Sequence, residues 1–198
     1  MPITQTKPYE AKTYTLQLEN FSAEQLEQHY KLYQGYVTQT NGLNDKLKEL
    51  REAGKLGTPE YNELRRRFGF EYDGMRLHEY YFENLGSETK ALSESSKLGS
   101  LLKEEFGSIA DWEKDFRATG AMRGIGWAIL YQDPFTGRLQ NFWITDHEFG
   151  HPAGFTPILV MDVWEHAYCV DWKPTERPKY IDAFFKHINW DAVESRLK

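Results

Sequence analysis

The chain has one cysteine, Cys169, in 198 residues. A single thiol closes no disulfide within the chain and builds no thiolate zinc site, so any metal would be held by nitrogen and oxygen donors. A reducing compartment fits. Long apolar runs are also missing: no window approaches about 18 consecutive apolar residues. The first thirty residues contain no charged segment leading into an apolar one. We therefore expect a soluble, cytoplasmic protein that makes no use of a membrane. Excess positive charge is absent too, with 24 Lys and Arg against 30 Asp and Glu and a formal net charge of -6. That balance argues against nucleic acid as a partner, because phosphate neutralisation usually demands a basic stripe. Internal repeats, low-complexity tracts and long flexible linkers are not found.

What the chain does have is aromatic residues: six Trp, twelve Tyr and twelve Phe. Such a content implies a packed interior, in one sizeable domain or two small lobes sharing an interface. Periodicity differs between the halves. Ser22 reads as the cap of a long helix with apolar and aromatic residues at three- and four-residue steps through Leu26, Tyr30, Tyr33 and Val37, ending at Gly54, with a bend near Gly42. A short helix from Pro59 to about Arg67 and a second over "GMRLHEYYFENLG", stopped by Gly86, follow. Leu98 to Phe106 and Ile109 to Thr119 read as two more, the latter capped by Ser108. After Gly120, "GIGWAILYQ" and "LQNFWITDH" flank the turn chemistry of "DPFTGR" and pair as antiparallel strands, with "TPILVMDVW" as a third. A helix from about Arg177 to His187 and a final turn or helix beginning near Asn189 close the chain. The expected class is α+β: an N-terminal helical lobe, residues 1–105, packed on a C-terminal α/β lobe, residues 106–198, with a three-stranded antiparallel sheet.

There are six histidines. His29 lies on the first long helix near Tyr33 and Tyr36, and His78 lies among Tyr80, Tyr81 and Phe82. A lone His in such surroundings is more often a hydrogen-bonded core residue than a ligand. Asp162 and His166, four apart in "VMDVWEHAYCVDW", read equally as a local charge pair. Their sum points elsewhere: one His on each of two helices, with an Asp and a His at the end of a strand from the other half. Three neutral imidazoles and a carboxylate suit manganese, iron or zinc, with a position left for water. The crowded aromatics would make a dry surround that governs solvent access and redox potential.

"PILVMDVWEHAYCVDW" followed by "RPKYIDAFFKHINW" closely resembles the C-terminal signature of the iron/manganese superoxide dismutase family. "GIGWAIL", "LHEYYFENL" and "FSAEQLEQHYKLYQGYV" continue the resemblance over nearly the whole chain. It implies a dismutase converting superoxide to dioxygen and hydrogen peroxide, with one Mn or Fe ion held by His29, His78, Asp162 and His166. Tyr36 matches the family's tyrosine at the mouth of the substrate funnel, and Trp127 and Trp164 match tryptophans that wall the site. The family's solvent-binding Gln has two possible positions; here the helical one is Gly74 and the other is His147, which is expected to tune the bound solvent. Glu165 matches a residue that reaches the ligand His of a second subunit, so the resemblance implies a homodimer or homotetramer.

The chain departs from the family at three places. The step from His29 to Tyr36 is one residue shorter than usual, and an ungapped match would put Gln28 at the ligand position; loss of a wide helical turn favours His29. Phe82 replaces a tryptophan. The gateway His and Tyr become Leu32 or Tyr33 and Cys169, so substrate access is expected to be rebuilt. Lys31 and Arg177 are candidates for attracting an anionic substrate, or ordinary surface charges. A non-catalytic protein on the same fold, with a structural metal or none, is the competing class. A metal-dependent oxidoreductase acting on peroxide or another small oxidant is a second rival.

Overall fold

The computed structural model describes residues 7–198. Helix α1 (Ala23–Glu52) starts where the Ser22 hydroxyl accepts the Gln25 amide, satisfying one of the free N–H groups of its first turn. It continues as one helix of 30 residues through Gly42. Gln25, His29, Tyr33, Val37 and Thr40 form its buried stripe at three- and four-residue steps. Gly54 and Gly57, at φ of 70° and 76°, reverse the chain. Helix α2 (Pro59–Glu83) then packs back along α1.

The sequence reads two helices where α2 is a single one of 25 residues. No proline after Pro59 breaks its hydrogen-bond ladder. Its glycines serve close approach instead: a Cβ on Gly74 would stand 2.7 Å from Tyr36 Cδ1. The stop falls at Asn84 rather than Gly86. Asn84 is buried, and its side-chain amide donates to the Val160 carbonyl at 2.6 Å, tying the helix end to the sheet.

Helices α3 (Lys97–Phe106) and α4 (Ile109–Gly120) are capped by Ser96 and Ser108 and pack on each other. Strands β1 (Gly126–Gln132), β2 (Leu139–Thr145) and β3 (Thr156–Asp162) form an antiparallel sheet in the order β2-β1-β3. β1 is central and buried throughout, which explains its apolar sequence on both faces. α4 covers β1 and β2, while α2 packs against β3, so the helical hairpin meets the strand that carries Asp162.

Two short 3-10 turns, Glu165–Ala167 and Pro174–Glu176, are absent from the sequence reading because three residues carry too little periodicity to register. Helices α5 (Arg177–Lys186) and α6 (Trp190–Glu194) complete the chain. Trp112, Phe116, Trp127, Tyr81 and Phe184 are fully buried, accounting for much of the aromatic content. Among the described residues no helix is long and apolar enough to cross a membrane.

Candidate metal centre

Asp162 is the last residue of β3, opposite Trp127 of β1. Its Oδ1 accepts the Trp164 amide at 2.8 Å, and its main-chain carbonyl accepts the Tyr180 hydroxyl at 2.6 Å. Those contacts fix the carboxylate and leave Oδ2 to the interior. Three imidazole nitrogens converge there: His29 Nε2 at 3.1 Å, His166 Nε2 at 3.1 Å and His78 Nε2 at 3.6 Å. The four potential ligand atoms lie within 4.8 Å of one another. Gln28, the alternative to His29, is exposed and donates to Glu24. A seven-residue step equals two regular helical turns, so His29 and Tyr36 share a face of α1 without any wide turn.

His166 is placed by a residue that sequence reasoning missed. Gln25 Nε2 donates to the His166 carbonyl at 2.7 Å, and its Oε1 accepts the Val170 amide at 2.9 Å. Thus α1 clamps the 3-10 turn with the residue one turn before His29. Its signal was a polar side chain on an otherwise inward-facing stripe.

Protonation follows from the partners. His78 Nδ1 faces the Gly74 carbonyl at 2.6 Å, which only accepts, so Nδ1 carries the hydrogen and Nε2 is a bare lone pair. That buried Nε2 has no hydrogen-bond partner. Leaving it so costs roughly 1–3 kcal/mol, a debt that a cation would relieve. Burial lowers the pKa of His29 and lowers that of His78 further, keeping both imidazoles neutral. Burial acts to raise Asp162, but His166 and His29 outweigh it and hold the carboxyl ionised, well below the usual range. Three imidazole nitrogens and one anionic oxygen, aimed at a common point, fit a divalent or trivalent first-row ion.

Beside this cluster, His147 is fully buried. Its Nδ1 accepts the Trp127 indole N–H at 3.1 Å, and its Nε2 lies 2.8 Å from the Tyr36 hydroxyl. Trp164 stacks on His147 at 4.8 Å between centroids and on His166 at 5.5 Å. Trp127 meets His78 edge-on at 5.1 Å, and Phe82 lies 5.1 Å from His29. Burial lowers the His147 pKa from 6.5 to about 4. It also raises Tyr36 well above the ordinary phenol value, with Asp162 and Glu71 adding to the effect. Phe70, which sequence reasoning also missed, packs 4.5 Å from His147 and 6.3 Å from Tyr36. Arg67 lies over Phe70 at 3.9 Å.

Other expected residues stand apart from the cluster. Glu165 is exposed, with no side-chain partner among the described residues. Lys31 is exposed and paired with Glu27 at 2.6 Å. Arg177 is committed to the Met122 and Gly124 carbonyls and the Tyr168 hydroxyl, so it braces the loop before β1. At the altered gateway Leu32 and Cys169 are exposed, whereas Tyr33 is buried.

Residues 94–196 match the family model for the C-terminal domain of iron/manganese superoxide dismutases. An iron superoxide dismutase of Aquifex pyrophilus is 39% identical over 186 residues, covering 91% of this chain and 86% of the relative. A manganese superoxide dismutase of Haloferax volcanii is 34% identical over 170 residues, covering 86% and 83%. An iron superoxide dismutase of Methanothermobacter thermautotrophicus is 34% identical over 182 residues, covering 90% and 87%.

Proposed function

The chain belongs to the iron/manganese superoxide dismutase family, and from that premise we propose that it disproportionates superoxide at one manganese or iron ion held by His29, His78, Asp162 and His166. The observation that carries this reading is the convergence of three imidazole nitrogens on Asp162 Oδ2, with the buried His78 Nε2 left without a partner. A manganese or iron ion held by these four residues would supply one-electron chemistry, alternating between trivalent and divalent states to oxidise one superoxide to dioxygen and reduce a second to the peroxide level.

The chain's own part is charge, proton supply and exclusion of water. Asp162 contributes the only negative charge of the donor set and so favours the higher oxidation state. Trp127 N–H can only donate, so His147 Nδ1 is unprotonated and the hydrogen of the neutral ring sits on Nε2. His147 therefore donates to Tyr36 Oη. Tyr36 keeps its own hydroxyl proton, which burial holds on the oxygen through the neutral range. We assign that proton to the peroxide product, with the product's second proton and the reprotonation of Tyr36 both supplied by solvent. Trp127, Trp164, Phe82 and Phe70 wall the site and keep its electrostatics in a low-dielectric surround.

The assembly we propose is a homodimer, with Glu165 of each chain reaching the other chain's metal site. Its support is the exposure of Glu165 beside His166, whose side chain remains 20% exposed. The lone thiol fits a reducing, cytoplasmic setting. Elemental analysis of protein purified without added metal, paired with superoxide and peroxide consumption assays, tests the central reading. About one equivalent of manganese or iron with superoxide turnover supports it; a chain that stays empty under metal-replete expression, or consumes only peroxide, refutes it.

A further inference from the structure

His147 is carried by a short loop between β2 and β3 whose hold on the protein is unusual. Thr145 and Phe149 exchange main-chain hydrogen bonds of 2.9 and 3.1 Å, closing a tight reversal around Asp146, His147 and Glu148. Asp146 takes φ of 54° and Gly150 φ of 103° to make it. Four residues after His147, outside helical geometry, a second histidine lies against the same strand. His151 Nδ1 is 2.6 Å from the Tyr131 hydroxyl, and His151 Nε2 is 2.8 Å from the main-chain carbonyl of His147.

The partners settle the proton positions. A carbonyl only accepts, so His151 Nε2 carries the hydrogen, and Nδ1 of the neutral ring accepts from Tyr131 O–H. Trp127 and Tyr131 are four apart on β1 and therefore point to one face of the sheet. From that face they give one hydrogen bond each to the two histidines of the loop. Tyr131 is almost fully buried, so its hydroxyl is a fixed anchor rather than a surface group. Asp73 of α2, immediately before Gly74, faces the same ring at 4.0 Å, and Glu148 is the loop's own charge nearby.

We infer that His151 is a positioning residue for the dismutation reaction: by bridging Tyr131 and the His147 carbonyl, it sets where His147 Nε2–H meets Tyr36. The inference rests on the reading of His147 as the partner of Tyr36 in proton supply. His147 is held at its ring by Trp127 and at its main chain by His151; loss of the second hold lets the loop swing about the first. The 2.8 Å bond to Tyr36 is then no longer maintained. Because Tyr36 delivers a proton only when the two groups are aligned, turnover falls while substrate entry does not change.

The test compares metal-loaded wild type with His151→Ala, His151→Gln, Tyr131→Phe and His147→Ala. For His151→Ala we expect unchanged metal content and KM, a kcat lowered about tenfold, the scale of one misplaced hydrogen bond, and faster deuterium exchange in the 145–151 segment by mass spectrometry. Glutamine can donate to the carbonyl and accept from Tyr131 at once, so His151→Gln should recover both kcat and exchange protection. Tyr131→Phe, which keeps the ring packing, should reproduce the loss in milder form. If His147→Ala lowers kcat but His151→Ala matches wild type, or if glutamine fails to rescue, the inference is overturned while the role of His147 stands. If His147→Ala itself leaves kcat unchanged, the reading on which the inference rests falls with it.

Discussion

Gly74→Ala sets two opposite effects against each other on one helix. In an unhindered helix interior the change gains about 1 kcal/mol through lower backbone entropy in the unfolded chain. Here the added Cβ would lie 2.7 Å from Tyr36 Cδ1, 2.9 Å from Cε1 and 3.1 Å from Cγ. Carbon atoms prefer about 3.5–4.0 Å, so the tyrosine ring has to retreat by roughly 1 Å. It is hemmed in by His78 at 5.1 Å, His147 at 4.9 Å and Phe70 at 6.3 Å between ring centroids. Overpacking of this kind costs about 1–3 kcal/mol and outweighs the helix gain. The expected net loss is about 1 kcal/mol, a fall in Tm of about 2–4 °C for a chain of this size. The retreat also breaks the alignment of Tyr36 with His147, which lowers kcat by about 10- to 100-fold at unchanged metal content. Thermal unfolding of the metal-loaded protein, stopped-flow superoxide decay and elemental analysis read the three quantities. A variant that melts higher than wild type and turns over at the same rate would refute the close-packing argument.

His78→Ala should leave the fold in place but reduce bound metal well below one ion per chain, since it removes the nitrogen that has no other partner; plasma mass spectrometry after purification measures this. His147 takes up its proton near pH 4 in the folded protein and near 6.5 when unfolded. Between those values the unfolded state binds more protons, so stability falls as pH falls, by about 1.4 kcal/mol per unit from this group, and above 6.5 the contribution is flat. Urea unfolding of wild type and His147→Gln across that window should show the slope shrink by that amount in the variant; parallel curves would contradict it. Glu165→Gln should shift the sedimentation of the protein toward the monomer, whereas a wild-type profile would remove Glu165 from the subunit contact.

Local chemistry explains why so much of the architecture is legible in the chain. Ser22 and Ser108 cap the helices they precede because a side-chain oxygen answers an amide two or three residues on. β1 and β2 pair across "DPFTGR" because Asp133 accepts the Phe135 amide and the Thr136 hydroxyl within the turn. The misreading of α2 as two helices has an equally physical origin: a glycine reads as a break in one dimension, while Gly74 is small because Tyr36 of α1 passes over it.

The candidate site divides in the same way. Sequence by itself determined the residue types, three imidazoles and a carboxylate among aromatics, and the family to which the chain belongs. Tertiary structure alone decided that His29 Nε2 and Asp162 Oδ2, 133 positions apart, stand at 3.1 Å, with Gln28 turned to solvent. It also brought Gln25 to the His166 turn and His151 to the carbonyl of His147. Caps and turns close over a few residues and leave their mark in the sequence. A hydrogen bond between distant elements depends on how whole helices and strands pack, and the chain carries that only through the packing itself.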